Sequence, residues 1–197
     1  YELGTLVDAE WISRREDSLG TYKLNPEGGY AAYALDDPRK LLALQSMCAL
    51  LYLTLPERET CPGVFDATLA FLEALKTDIW APTYVYWEIG LLQALGFGID
   101  VTACAATGVT DDLCYISPKS ARAVSREAGA EFHERMLPLP GFLRGEGDFD
   151  DAAVADGLLM TGYFLQHRVF GMTSNLTLPE VRHRLHQSFS LESASQN

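Results

Sequence analysis

Four cysteines, Cys48, Cys61, Cys104 and Cys114, carry the most reactive side chains in this sequence, and 12, 42 and 9 residues lie between them. A structural zinc site needs four thiolate or imidazole ligands in a tetrahedron, normally delivered as two closely spaced pairs. The stretch "GFGIDVTACAATGVTDDLCYISPKSARAVS", residues 96–125, holds Cys104 and Cys114 but has Thr107 where a partner for Cys104 would stand. Residues 117–129 contain neither cysteine nor histidine, so a second ligand pair is missing. Two sulfurs alone bind zinc weakly, and no structural metal is expected. The spacing is too sparse for a disulfide framework, which points to a reducing cytoplasm. Cys48, among Met47, Ala49 and Leu50 on a predicted helix, reads as a small buried hydrophobe.

His183 and His186, three apart on a helix, share a face and make half of a metal site. Arg182 and Arg184 beside them create a positive setting that disfavours a cation, so the segment reads as a solvated basic helix end. Asp111, Asp112, Asp148, Asp150 and Asp151 offer carboxylates for acid–base chemistry or a hard metal. Asp148 to Asp151, however, stand where a helix cap and first turn favour negative charge. A hydrolase built on them predicts activity lost in Asp150→Asn plus Asp151→Asn, and none is expected. His133, between Glu131 and Glu134, reads as a lone surface histidine. No HExxH, P-loop, GxSxG or dinucleotide glycine pattern is present.

The elements that position these residues are mostly helical. With 197 residues and 48% hydrophobic content the chain can bury a sizeable core. Its longest apolar stretch, Leu41 to Leu55, is interrupted by Gln45 and Ser46 and falls short of the roughly 20 residues that span a bilayer. No basic-then-apolar leader opens the sequence, so neither a membrane span nor a secretion signal is expected. The formal charge of −12 repels phosphate, and nucleic-acid contact would need a local basic patch working against it.

Residues 1–24 read as β. In "LVDAEWIS", Val7, Ala9 and Trp11 alternate with Asp8 and Glu10; "DSLG" turns the chain, and "TYKL" places Tyr22 and Leu24 on one side. An isolated hairpin is marginal in water, so this one either packs on the helices downstream or ends a larger sheet. "NPEGG" reads as a break. The pattern then turns helical: Asp37 caps a segment with Pro38 at its first position and Pro56 closing it, and a second starts at Pro62 with Val64, Leu69, Leu72 and Leu75 inward. A third, "APTYVYWEIGLLQALG", ends at Gly96 and has only Glu88 and Gln93 as strongly polar interior positions, which puts it in the middle of a bundle. After the cysteine-bearing insert come a short helix in "SREAGAEFHERML", a loop "PLPGFLRGEG", and a fourth long helix, "DDAAVADGLLMTGYFLQHRVF", with His167 and Arg168 set against its C-terminal dipole. A fifth starts from a capping box, Thr177 to Glu180, and the tail "SLESASQN" reads as frayed.

The string "WEIGLLQALGFGIDVTACAATGVTDDLCYISPKSARAVS" resembles the RecO family of bacterial recombination mediators, especially its alphaproteobacterial members. In that family an aromatic-Glu helix leads through "LGFGxD" into a cysteine-bearing knuckle and then an "RAVS" segment. "LVDAEWISRREDSLGTYKL", "MLPLPGFL", "LLMTGYFLQHRVF" and "LPEVRHRL" extend the likeness to about residue 187. The resemblance implies a mainly α fold: a helical bundle domain over residues 30–190, with a degenerate zinc-knuckle-like insert at about 99–125. Ahead of it, residues 1–27 would be the last strands of an OB-fold β-barrel, the chain starting partway through it. Of the family's knuckle ligands only Cys104 remains, so neither zinc nor another cofactor is implied; packing of Val101, Leu113, Tyr115 and Ile116 would hold the insert.

The implied role is non-enzymatic: to bind single-stranded DNA, the C-terminal tail of single-strand-binding protein and RecR, to load the recombinase, and to anneal strands. The implied setting is the bacterial cytoplasm, with the nucleoid and without a membrane. The DNA-binding candidates are Arg14, Arg15 and Lys23 on the hairpin. A tail with an apolar end needs an apolar groove plus a cation for its carboxylates, for which Trp87, Leu91, Leu95, Lys119 and Arg122 are the candidates. Tyr84, Val85 and Tyr86 stand where some relatives carry arginines before the aromatic-Glu pair. The rival reading is a purely protein-binding helical scaffold without DNA contact, which the acidic balance favours.

Overall fold

A computed structural model describes residues 1–15, 18–172 and 176–193. The chain opens on an antiparallel hairpin, β1 (Thr5–Ile12) with β2 (Thr21–Gly29). Ala9 faces Leu24 and Trp11 faces Tyr22 across the ladder, so the alternation in the sequence does collect the apolar residues on one face. Part of the expected "DSLG" turn lies outside the described residues. The "NPEGG" break is not one: β2 runs through Pro26 to Gly29. An edge strand tolerates a proline, and the register shift between Leu6 and Val7 absorbs it. The hairpin touches the body at its base, where Gly4 meets the Leu44 and Leu72 side chains and accepts a backbone bond from Tyr30 N–H at 3.2 Å.

The helical body begins at α1 (Pro38–Thr54). The Asp37 carboxylate accepts from the N–H groups of Arg39 and Lys40 at 2.9 and 3.2 Å, satisfying two donors that the first turn leaves open. α2 (Pro62–Ala74) and α3 (Trp80–Ala94) come next. α3 ends as its glycine demands: Gly96 sits at φ +87°, and Phe97 N–H closes back onto Leu92 O at 2.8 Å. α5 (Asp151–Phe164) and α6 (Glu180–Ser193) complete the bundle. α3 lies between α2 and α5, while α6 packs on α5 and α1. That central position accounts for the low polarity of α3. Gly157 lets α5 approach closely, since a methyl there would come within 2.9 Å of Val85.

Between α3 and α5 the insert forms a three-stranded antiparallel sheet in the order β4 (Ala123–Ser125), β3 (Leu113–Ile116), β5 (Leu137–Pro138). The expected helix over residues 125–137 is a single turn, α4 (Arg126–Gly129), continued as 3₁₀ turns to Arg135. Its sequence lacks a long apolar stripe, and the chain is recaptured by β5. "PLPGFL" is no surface loop, because Leu139, Phe142 and Leu143 are buried. After α5, Leu165–Val169 form a π turn rather than more α-helix. α6 starts at Glu180 and carries part of the expected frayed tail to Ser193; residues 194–197 lie outside the described residues.

Candidate nucleic-acid and partner interface

The hairpin carries Arg14, Arg15 and Lys23, all exposed. The structure does not gather them into a basic patch. Lys23 stands directly across the ladder from Glu10, a pairing that offsets its charge. Arg14 and Arg15 lie in the connection between β1 and β2, where Arg15 N–H donates to Ser18 Oγ at 3.1 Å. Residues 1–30 contain six acids (Glu2, Asp8, Glu10, Glu16, Asp17, Glu27) against these three bases, a formal balance of −3. The more distinctive feature is apolar: Trp11 and Tyr22, 48% and 62% exposed, have ring centroids 4.6 Å apart. With Ser18, Glu57 and Arg58 they line a cavity of about 540 Å³ between the hairpin and the α1–α2 connection.

The apolar groove expected on α3 is closed. Trp87 and Leu91 are 2% and 1% exposed, and Trp87 Nε1 donates to Thr68 Oγ1 of α2 at 3.0 Å. Both belong to the core because α2 and α5 cover them, and only Leu95 is partly accessible. Of the two cations expected beside that groove, Arg122 is engaged with Asp100 at 3.3 Å. Lys119 is exposed and has no acidic partner among the described residues. Arg168, read from the sequence as a complement to its own helix dipole, reaches across instead. Its Nη2 donates to Pro118 O and Lys119 O at 3.3 and 2.7 Å, tying the π turn to the insert.

Sequence reasoning missed the most polar buried feature. Arg182, expected on a solvated helix end, is 1% exposed and meets Glu88, at 0%. Its Nε donates to Glu88 Oε1 at 2.5 Å, and its Nη2 to Glu88 Oε2 at 2.8 Å and to Leu158 O at 2.7 Å. Thr161 Oγ1 donates to Glu88 Oε2 at 2.5 Å, so α3, α5 and α6 meet at one carboxylate. Burial and the Glu88 charge push the Tyr84 phenol well above its ordinary value, and its hydroxyl donates to Ser46 Oγ at 2.8 Å. A signal existed: Glu88 was one of two strongly polar interior positions of an apolar helix, and such a residue in a core needs a partner. His186 is half-buried, and burial together with Arg182 lowers its affinity for a proton.

In the insert, Cys104 is 1% exposed and its Sγ accepts from Ser125 N–H at 3.3 Å and Ser125 Oγ at 3.5 Å. Burial opposes ionisation, yet the hydroxyls and backbone N–H groups of Ser125 and Thr107 outweigh it and bring the thiol down to about 6. Around this sulfur stand hydrogen-bond donors, where a zinc site needs further thiolates or imidazoles. The residues present do not fit a metal. No cluster of three or more histidine, cysteine, aspartate or glutamate side chains able to hold one occurs among the described residues. Leu113 and Ile116 are buried, and Val101 and Tyr115 pack against the same core. Among the acids, Asp150 caps α5 through Ala153 N–H at 2.8 Å and Asp151 pairs with Arg39 at 2.9 Å. No helix among the described residues is long and apolar enough to cross a membrane.

Comparison with known proteins places the chain. Residues 35–175 match the family model "Recombination protein O C terminal". The DNA repair protein RecO of Rhodospirillum centenum is 47% identical over 185 residues, 93% of this chain and 74% of the relative. Those of Rhodospirillum rubrum and a Ruegeria species are 46% identical over 189 residues and 43% over 182, covering 75% and 76% of their own lengths. The family model covers well over half of the chain, including the insert, and the relatives align over more than nine-tenths of it; on that ground the chain belongs to the RecO family.

Proposed function

We propose that this chain acts in recombinational DNA repair as a mediator that works by docking and performs no covalent chemistry. It binds single-stranded DNA, the C-terminal tail of single-strand-binding protein and RecR, loads the recombinase, and anneals strands in the bacterial cytoplasm at the nucleoid. The observation that carries this reading is the 47% identity over 93% of the chain to a relative named for DNA repair. In this reading the hairpin is the terminal strand pair of an OB-type barrel and its uncovered Trp11 and Tyr22 belong to the barrel's apolar face, while residues 30–190 form the partner-binding domain. The insert keeps the knuckle's shape without zinc, held by the core side chains Leu113 and Ile116 and by the donors around Cys104.

The formal −3 on residues 1–30 favours a second reading, a scaffold that binds protein alone. Titration of labelled single-stranded DNA at several salt concentrations separates the two. A mediator binds with a negative salt slope of about 0.7 per phosphate contact. Absence of DNA binding at low salt, with the tail peptide of single-strand-binding protein still bound, would establish the scaffold instead.

A further inference from the structure

We propose that Lys119 is an acceptor for acyl groups delivered by small acyl phosphates, which are held by their phosphate in the cavity between the C-terminal end of α3, the 117–121 turn and the π turn after α5. The chain has four lysines, Lys23, Lys40, Lys76 and Lys119, and the first three are engaged or shielded. Lys40 Nζ donates to Leu75 O at 2.7 Å. Lys76 Nζ pairs with Glu73 at 2.6 Å and lies over the Tyr30 and Tyr33 rings. Lys23 stands across the ladder from Glu10, whose charge repels an anionic reagent. Lys119 is exposed and has no acidic partner among the described residues.

Its surroundings suit a small anion. The cavity holds about 200 Å³, against about 300–1,000 Å³ for drug-sized ligands. Lys119, Ser120 and Arg168 line it above Phe97 and Phe164, and no carboxylate stands in its wall, in a chain of formal charge −12. The carbonyls of Pro118 and Lys119 accept from Arg168 Nη2 at 3.3 and 2.7 Å, and the rest of the guanidinium fork has no hydrogen-bond partner among the described residues. A guanidinium fixed in this way loses little freedom on meeting a phosphate. Because it is tied to the backbone of Lys119 itself, it brings phosphate and amine to one place. In its neutral form Nζ attacks the carbonyl carbon, the bond from that carbon to the bridging oxygen breaks, and phosphate leaves with the electron pair. The proton shed by the nitrogen goes to the departing phosphate, and nothing is oxidised or reduced. Acylation removes the lysine's charge and so halves the positive charge of the cavity wall. The chain is the acceptor and turns nothing over, so this inference adds to the docking reading without resting on it.

The test treats the protein with acetyl phosphate and, in parallel, with the acetyl ester of N-hydroxysuccinimide, which carries no phosphate. Mass spectrometry of the peptides then gives the extent of acetylation at Lys119 and at Lys23. The ratio of Lys119 to Lys23 is expected to be at least about tenfold higher with acetyl phosphate than with the ester, a small share of what proximity can supply. Inorganic phosphate in excess should remove that difference, and so should Ser120→Glu, a change at an exposed position that leaves the circular dichroism melt where it was. Equal ratios for the two reagents, a difference that survives either phosphate or Ser120→Glu, or no acetylation of Lys119 by acetyl phosphate would each overturn the assignment.

Discussion

Glu88 and Arg182 decide how the three helices around them meet, because each is buried and each satisfies the other. Removing one partner leaves an uncompensated charge in the core, which costs about 3–5 kcal/mol. Glu88→Ala should therefore lower the urea midpoint strongly, and Glu88→Leu combined with Arg182→Met should recover most of the loss. A double variant no more stable than the single one would show that the pair is not the cause. Cys104 makes a pH-dependent contribution. Its folded value of about 6 lies below the ordinary 9.0, so folding favours the thiolate. The resulting stability is complete above pH 9 and is lost as pH falls towards about 6. Thiolate absorbance in the ultraviolet should titrate near that value in wild type and lose that component in Cys104→Ser, and a midpoint above 8 would refute the assignment. Both sites were half legible in the sequence. Glu88 stood out as polar in an apolar helix and Cys104 as a ligand without a partner; Arg182 and Ser125, which answer them, are brought up only by tertiary folding, while Thr107, three residues from Cys104, was in view but read only as a missing ligand.

Local rules predicted the elements well wherever a local rule applied. The Asp37 cap, Pro38 at the first helical position, the Gly96 terminus and the apolar face of the hairpin follow from propensity and period, and all four are present. The sequence misled where tertiary partners override propensity. Pro26 sits within a strand because an edge position does not need its N–H. "LQHRV" continues a helical pattern yet forms a π turn, in which Gln166 Oε1 accepts from Leu178 N–H ahead of α6 at 3.1 Å while Arg168 holds the 117–121 turn. A π turn points successive side chains in directions an α-helix does not, and here it joins three parts of the chain. Arg168→Met keeps the stem and removes the donors. Hydrogen exchange at the Ala121 amide, bonded to Ser117 O at 2.9 Å, should then quicken about tenfold, the effect of a hydrogen bond worth roughly 1.4 kcal/mol. Amides of the hairpin should not change, and a uniform acceleration would mean global destabilisation rather than a local tie.

At the scale of the whole molecule, a formal charge of −12 makes stability respond to salt, and the proposed DNA contact would respond in the opposite direction. Most of the acids are exposed, and their mutual repulsion disfavours the compact state. Added salt screens exposed charges within about 10 Å at 0.1 M and acts far less on a buried pair such as Glu88 with Arg182. Moving from low to moderate salt should therefore stabilise the fold by about 1 kcal/mol, a rise in thermal midpoint of roughly 2–4 °C for a chain of this size. On the proposed mediator reading, binding of single-stranded DNA should weaken over the same range, because each phosphate contact releases counterions that added salt makes costlier to release. The two responses differ in sign for a physical reason: the same ions screen the repulsion among the acids and the attraction of a local basic group such as Arg14 and Arg15 to phosphate that the mediator reading requires. A fall in the thermal midpoint with salt would show that surface ion pairs such as Arg39 with Asp151 outweigh the repulsion. DNA affinity independent of salt would show that contact runs through the exposed Trp11 and Tyr22 rings rather than through Arg14, Arg15 and Lys23.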